Sequence, residues 1–401
     1  MDYDLIVIGG GISGMSFAHY ATRSGLKTLV VEKEQSAGGC IQSPRLGGGF
    51  WFELGAHTCY NSYGALLEVV DALGLRSALQ RRAKPRMRFL EGGTLVPGQN
   101  LWALLRLLDL GELLRSLPRA FGARPDGQTV YSHYSRIVGR GNYGRVVGPV
   151  LSAVPSQSAD AFPAEMLFKK RARRKDVPRS FTLPGGLQGL AEAAAGTPGV
   201  TARTGTAARH LSRDAGGFEV ELADGSRERA AQVALAVPPR AAAELLRGVL
   251  PEAASLVSRV QEAEVDSLGF AVPAARAAHL PPATFLIPLE DRFHSVVTRD
   301  PVPDPRWRGF TFHFKPGLSS GDRLRRAAEV LGLSPADLEA PTERRTVLPS
   351  PVLGHREVVA EVDRVLAGTP LAVTGNWFGG LAIEDCALRS RAEWARLAAG
   401  R

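Results

Sequence analysis

Apolar positions in this chain fall into distinct spacings. A continuous run from Leu5 to Ile8 leads straight into Gly9-Gly10-Gly11, and a second run, Leu29-Val30-Val31, ends in Glu32. Short uninterrupted runs bounded by glycine predict buried strands. Later, Gly217-Phe218-Glu219-Val220-Glu221-Leu222 alternates, and Asp224-Gly225 separates it from the apolar stretch Val233 to Val237, which predicts a hairpin. Strands are also predicted at Ser267 to Val272 and Phe310 to Phe314. From Leu101 to Leu114, apolar residues and charges recur at near-helical spacing. A core-facing helix is the first reading of that segment. Shallow docking on a membrane, to collect an apolar substrate, is the alternative.

The junction after the first strand carries chemistry. Gly9-x-Gly11-x-x-Gly14 turns a strand into a helix: Gly9 permits the turn, Gly11 lets the backbone approach phosphates, and Gly14 lets helix and strand pack closely. Glu32 lies eighteen residues past Gly14, at the end of the second strand, where a carboxylate accepts hydrogen bonds from a ribose 2′-OH. A bound dinucleotide is expected.

Length and composition narrow the rest. A chain of 401 residues, 44% apolar, is long enough for two interleaved domains with substantial cores. No run of eighteen apolar residues exists, and no basic stretch precedes an apolar signal core, so a cytoplasmic protein, at most peripheral to a membrane, is expected. Cys40, Cys59 and Cys386 are too few and too scattered for a disulfide framework or a zinc site, so no metal is expected. The net charge is +9, with arginine spread along the whole chain. The dense cluster Phe168-Lys169-Lys170-Arg171-Ala172-Arg173-Arg174-Lys175 reads first as a solvated surface segment. It has no interleaved aromatics to stack on bases, so nucleic acid is not an expected partner; an anionic head group or acidic substrate is the alternative.

The stretch after Glu32, with Gly38-Gly39, Ile41-Gln42-Ser43 and Phe52-Glu53-Leu54-Gly55-Ala56-His57, resembles the flavin amine oxidase and protoporphyrinogen oxidase superfamily. The resemblance implies FAD and an α/β fold. A doubly wound, Rossmann-like FAD-binding domain of the glutathione reductase type would carry an inserted α+β substrate domain. It implies cofactor contacts from Gly9, Gly10, Gly11, Ile12, Ser13 and Gly14, from Glu32 and Lys33, and from Gly38, Gly39 and Cys40. Cys40 stands where the family usually has Lys, Arg or Trp. Further contacts are implied from Gly55, Ala56 and His57, from Ala208 through its backbone, and from Thr374, Gly375, Gly380 and Asp385 near the final helix. Asp385 could cap that helix, whose N-terminus would direct positive charge at the flavin. His57 either contacts the isoalloxazine or is satisfied by local hydrogen bonds. The implied boundaries are 1–80, 185–245 and 346–401 for the FAD domain, 81–184 for a helical insert, and 246–345 for the substrate domain.

Within the superfamily, Leu348-Pro349-Ser350-Pro351-Val352-Leu353-Gly354-His355 and Ile383-Glu384-Asp385-Cys386 resemble protoporphyrinogen oxidases. By the same resemblance, Arg88 would meet a tetrapyrrole propionate, and Leu268 and Ala271 would flank the macrocycle. The implied activity is hydride removal from an apolar or conjugated substrate, most readily a protoporphyrinogen or coproporphyrinogen of porphyrin biosynthesis, with oxygen or another acceptor reoxidising the flavin. No catalytic side chain is singled out. The alternatives are an amine oxidase or carotenoid or lipid desaturase, and a flavin-fold protein that binds without turnover.

Overall fold

The computed structural model describes residues 2–97 and 105–400. Its first sheet has seven strands, gathered from three distant stretches of chain. β1 (Tyr3–Ile8) lies at the centre, flanked in parallel by Thr28–Val31 and Arg227–Leu235. Val200–Arg203 extends the sheet beyond Thr28–Val31, and Leu371–Val373 pairs in parallel with Arg227–Leu235. The hairpin expected around Asp224-Gly225 is present, with Gly217–Leu222 antiparallel to Arg227–Leu235.

The continuous apolar run of β1 follows from burial on both faces. Leu5 and Val7 pack under α1 (Ile12–Arg23) and the final helix Ile383–Ala399, meeting Phe17, Leu190 and Trp394. Ile6 and Ile8 face the other way, onto Phe218, Leu246, Val362 and Trp377. This is the doubly wound α/β arrangement.

The second sheet is also seven-stranded, in the order Glu339–Pro349, Glu262–Pro273, Trp307–Phe314, Phe293–Thr298, Phe285–Pro288, Arg88–Glu91 and Thr94–Pro97. Its strands alternate, as a sheet with two different environments requires. Leu268, Phe270, Val272, Phe310, Phe312 and Phe314 face helix Ser320–Leu331 and form a core with Ala327, Ala328 and Leu331. The intervening residues face the first domain. Thr311 Oγ1 donates to the Glu53 carbonyl at 2.7 Å, tying this face to the loop that crosses it.

The stretch 81–184 is split among three neighbourhoods. Arg88–Glu91 and Thr94–Pro97 extend the second sheet, and Ser180–Thr182 pairs with Cys59–Tyr60 and Gln80–Arg81 in a small third sheet. Helices between 110 and 167 build a satellite core around Tyr143, Leu151 and Phe162.

Two expectations change here. Residues 101–104 lie outside the described residues; Leu107 and Leu108 pack against a small core of Phe89, Val146 and Ile287, but the helix Leu110–Ala120 that follows leaves Leu110, Leu114, Leu117 and the adjoining Phe121 47%, 66%, 44% and 84% exposed. The basic cluster is not simply solvated either. Lys169 and Arg171 pair with Asp385 at 3.0 and 2.7 Å, and Arg174 pairs with Asp71 and Asp176. Two of the three acidic partners lie far away in sequence, so their pairing became visible only on folding.

Candidate functional site

The glycine turn is built by close approach. Gly9 has φ +108°, a conformation side chains resist, and a Cβ there would sit 2.4 Å from the Ala236 carbonyl oxygen. A Cβ on Gly14 would lie 1.9 Å from the Gly9 oxygen, so the helix can meet the strand only without one. Gly11 differs: its Cβ would meet nothing closer than Gly39 Cα at 3.5 Å. The space beside Gly11 is left open by the protein. Gly11 also caps α1 without a side chain, leaving the first-turn amides free of side-chain acceptors.

Glu32 is buried beside this turn. Its Oε2 accepts from the Gly10 amide at 2.7 Å and its Oε1 from the Glu34 amide at 2.9 Å, which fixes the carboxylate at the end of the second strand. Ile12 is half-buried, and the Ser13 carbonyl accepts from Ser390 Oγ at 2.8 Å. The Lys33 side chain is 71% exposed. Gly38 donates to the Gly10 carbonyl at 2.9 Å, and the glycine pair Gly38-Gly39 lies against Gly11 in a parallel bridge. Ala208 opens the strand Ala208–Asp214 and is half-buried.

Farther along, the segment after Cys40 runs beside the segment before His57. Leu54 and Ala56 donate to the Gln42 and Cys40 carbonyls, both at 2.9 Å, and a Cβ on Gly55 would fall 2.4 Å from the Cys40 oxygen. Opposite lies the loop between Leu371–Val373 and the final helix. Thr374 is fully buried and shares a 2.8 Å hydrogen bond with Ser390, while Gly375 and Gly380 bracket Asn376.

Asp385 departs from its expected role. The final helix is capped at Ala382 with no side-chain cap, and Asp385 accepts from Lys169 and Arg171 instead. Two cations in reach outcompete the neutral amides for that carboxylate.

Between the Gly55–His57 loop and the second sheet lies a cleft of about 140 Å³. Its floor is one rung crossing four strands: Ser295 pairs with His313, His313 with Ser267, and Ser267 with Arg344. Ser267 Oγ and His313 Nδ1 are hydrogen-bonded at 3.0 Å. Ser295 Oγ and Arg344 Nη1 are buried with no partner. Val265, Val297, Phe285 and Leu348 supply apolar lining, Ala153 to Ser156 close one end, and Asn376 and Leu381 another.

His57 fits both of its readings, since it lines the cleft and its Nδ1 lies 3.2 Å from the Gly55 carbonyl, with Phe285 edge-on at 5.2 Å. Burial drives it down to about 3, so the imidazole is neutral. Burial likewise holds His313 at about 4. Behind His57, buried Arg82 donates to its carbonyl, and Glu53 is pushed up to about 7 by burial despite bonds from Ser43 Oγ and the Leu187 amide.

The sheet alternation corrects all three expected substrate contacts. Leu268 is one residue out of phase with Ser267 and is fully buried on the far face, in the phenylalanine core. Ala271 shares the face of Ser267 but lies farther along, covered by Phe50, Phe52 and Leu54. Arg88 pairs with Leu286, so it sits on the face opposite Phe285 and away from the cleft. The residues missed were Ser267, Ser295, His313 and Arg344. The alternation of VDSLGF could have assigned Ser267 and Leu268 to opposite faces, but only strand pairing puts the four on one rung.

The sequence model of the family described as flavin containing amine oxidoreductase matches residues 12–275. Among curated proteins, the chain is 26% identical over 117 residues to "Probable flavin-containing monoamine oxidase A" of Dictyostelium discoideum, covering 29% of this chain and 25% of that protein. It is 37% identical over 84 residues to "Protoporphyrinogen oxidase, mitochondrial" of Nicotiana tabacum, covering 21% and 16%. The matches thus span a quarter or less of these relatives. Over the whole chain, the fold is similar to the solved structure of "Putative protoporphyrinogen oxidase" from Exiguobacterium sp. 255-15, with a TM-score of 0.81, 17% identity and 100% of both chains covered.

Proposed function

Since the chain belongs to the flavin-containing amine oxidoreductase family, whose cofactor is FAD, we propose that this FAD-dependent oxidoreductase takes hydride from an apolar, non-cationic substrate of the porphyrinogen type. The open space beside Gly11 supports the fit of FAD, because the turn keeps clear the volume a pyrophosphate needs. Gly9 to Gly14 would hold the pyrophosphate with Ile12 and Ser13 in the first turn, Glu32 the ribose, and the Ala208 backbone the adenine. Gly38, Gly39 and Cys40 would follow the ribityl chain; Gly55, Ala56 and His57 would line one side of the ring, with Thr374, Gly375 and Gly380 on the other. Bound FAD supplies a two-electron acceptor, with oxygen or another acceptor regenerating it.

The observation that carries the substrate reading is the charge of the cleft. Arg344 is the one charged side chain among its described lining residues, and both histidines there are neutral. A protonated amine would meet a like charge and no carboxylate, whereas a neutral or acidic tetrapyrrole meets apolar walls and hydroxyls. The chain's own part in the reaction would be to orient the reacting C–H bond toward the cofactor and to exclude water. No carboxylate base is among the described residues that line the cleft, and a pyrrole N–H proton can leave to solvent.

Anaerobic bleaching of the flavin tests the reading. Protoporphyrinogen or coproporphyrinogen should bleach it, and benzylamine and phytoene should not. Bleaching by benzylamine or phytoene alone moves the protein to the amine oxidase or desaturase class, and bleaching by none of them leaves a binding protein.

The proposal extends to a partner surface. The exposed stripe Leu110, Leu114, Leu117 and Phe121 lies beside Arg106, Arg115, Arg119, Arg124 and Arg136, none of which forms an ion pair among the described residues. Apolar side chains bordered by cations without a salt-bridge partner favour an anionic bilayer surface. Cosedimentation with phosphatidylglycerol vesicles should be lost in Leu114→Glu/Phe121→Glu, and equal binding of this variant would remove the surface from the account.

A further inference from the structure

The strand Glu339–Pro349 carries three charged residues in a row, and they meet different fates. Glu343 faces the outer side of the sheet and receives Arg323 at 2.8 Å. Arg345 is bound by Asp266 at 2.8 Å and approached by Glu264 at 3.7 Å. Arg344, between them, points into the cleft, where no carboxylate receives it among the described residues, and its Nη1 is buried without a hydrogen-bond partner.

A guanidinium N–H donor held away from water without an acceptor is costly, so the buried Nη1 of the half-buried Arg344 invites an acceptor from outside the chain. The rung around Arg344 favours an anion. Its cross-strand neighbour Ser267 has its hydroxyl engaged with His313, and the next residues on the same face, Thr346 and Val265, carry no charge. Among the described residues, no carboxylate pairs with the guanidinium.

We propose that Arg344 is the anion subsite of the cleft, receiving a carboxylate of the substrate and so fixing which end of the molecule lies on the sheet floor. The subsite rests on the oxidoreductase reading only in taking this cleft as the substrate's place. It replaces Arg88, which lies on the wrong face. A guanidinium offers two parallel N–H donors to a carboxylate, whereas an ammonium offers charge without that fork. Acids should therefore bind better than matched amides, and the Lys variant should recover only part of the difference.

The test uses FAD-loaded protein and a redox-inert pair of probes, biphenyl-4-carboxylate and biphenyl-4-carboxamide, with binding followed by calorimetry. In the wild type the acid should bind more tightly than the amide. Arg344→Gln should weaken the acid about tenfold or more while leaving the amide unchanged, and Arg344→Lys should fall between. FAD content, read from the visible spectrum, should be the same in all three. Equal acid affinity in wild type and Arg344→Gln overturns the subsite, as does a wild type that does not prefer the acid. Loss of FAD from both variants also overturns it, because Arg344 would then serve the cofactor. Each of these outcomes is separate from the flavin-bleaching test, which decides the reaction class.

Discussion

On its cofactor side the cleft is walled by backbone: Gly55 and Ala56 run against the Cys40 carbonyl, and the turn from Gly9 to Gly14 continues that wall toward the open space beside Gly11. On its sheet side it is floored by the side chains of Ser295, His313, Ser267 and Arg344, contributed by four strands. The contrast separates two kinds of recognition. A backbone wall tolerates almost no added atom, since a Cβ at Gly14 or Gly55 would fall within 2.4 Å of a carbonyl oxygen. The floor is set by which side chain occupies each inward position, so its chemistry can change while the sheet stays intact. A shared cofactor with divergent substrates is what such a division permits.

The strongest way to break this contrast is Gly11→Val. Its Cβ has only an ordinary contact, 3.5 Å to Gly39 Cα, so the apoprotein should keep its circular dichroism spectrum while FAD affinity falls by about two orders of magnitude or more. A variant that stays yellow after gel filtration would remove the glycine turn from the cofactor site.

Leu268→Ala probes the far face of the floor. The side chain is fully buried among phenylalanines, and its truncation should cost about 2–5 kcal/mol in urea unfolding while leaving substrate KM unchanged. A raised KM at unchanged stability would return Leu268 to the cleft.

Glu53→Gln tests the buried layer behind the wall. Burial lifts Glu53 from 4.5 to about 7, so between those values the folded protein holds a proton that the unfolded chain has released. The stabilisation this provides is fully present below pH 4.5 and is lost as pH rises through about 7, up to about 3 kcal/mol. The always-neutral Gln should flatten the decline in unfolding free energy between about pH 5 and pH 8. His57 and His313 act with the opposite sign, since each is depressed: their contribution is present above 6.5 and is lost as pH falls toward about 3 and 4. The variant should leave that acid limb untouched.

The smallest effect is expected for Asp385→Asn, which leaves Lys169 and Arg171 without their shared carboxylate. A cost of about 2 kcal/mol is expected, below that of a fully buried pair because Lys169 is 30% exposed. Thermal unfolding measures it, and no change in melting temperature would mean that the pair is screened by solvent.

Backbone recognition leaves a local mark in sequence, because a turn that excludes every side chain must be written with glycine at a definite spacing. That is why Leu5 to Gly14 and Glu32 read as a dinucleotide-binding turn before any coordinates, while Gly38-Gly39, Gly55 and the doubly wound domain were implied by the family resemblance of the same stretch. The hairpin at Asp224-Gly225 was legible for the same local reason. Arg344, Ser267, His313 and Ser295 span 267 to 344 in sequence and meet only because four strands pair in one register. A shift of a single residue in that register sends a side chain to the other face, which is what separates Ser267 from Leu268 and the cleft from Arg88. The identity of Asp385's partners, and the exposure of Leu114 and Phe121, were likewise decided by which distant segment came to lie alongside. Local sterics are written residue by residue in the chain; which side chains share a face is a property of strand pairing, and it exists only once the strands have met.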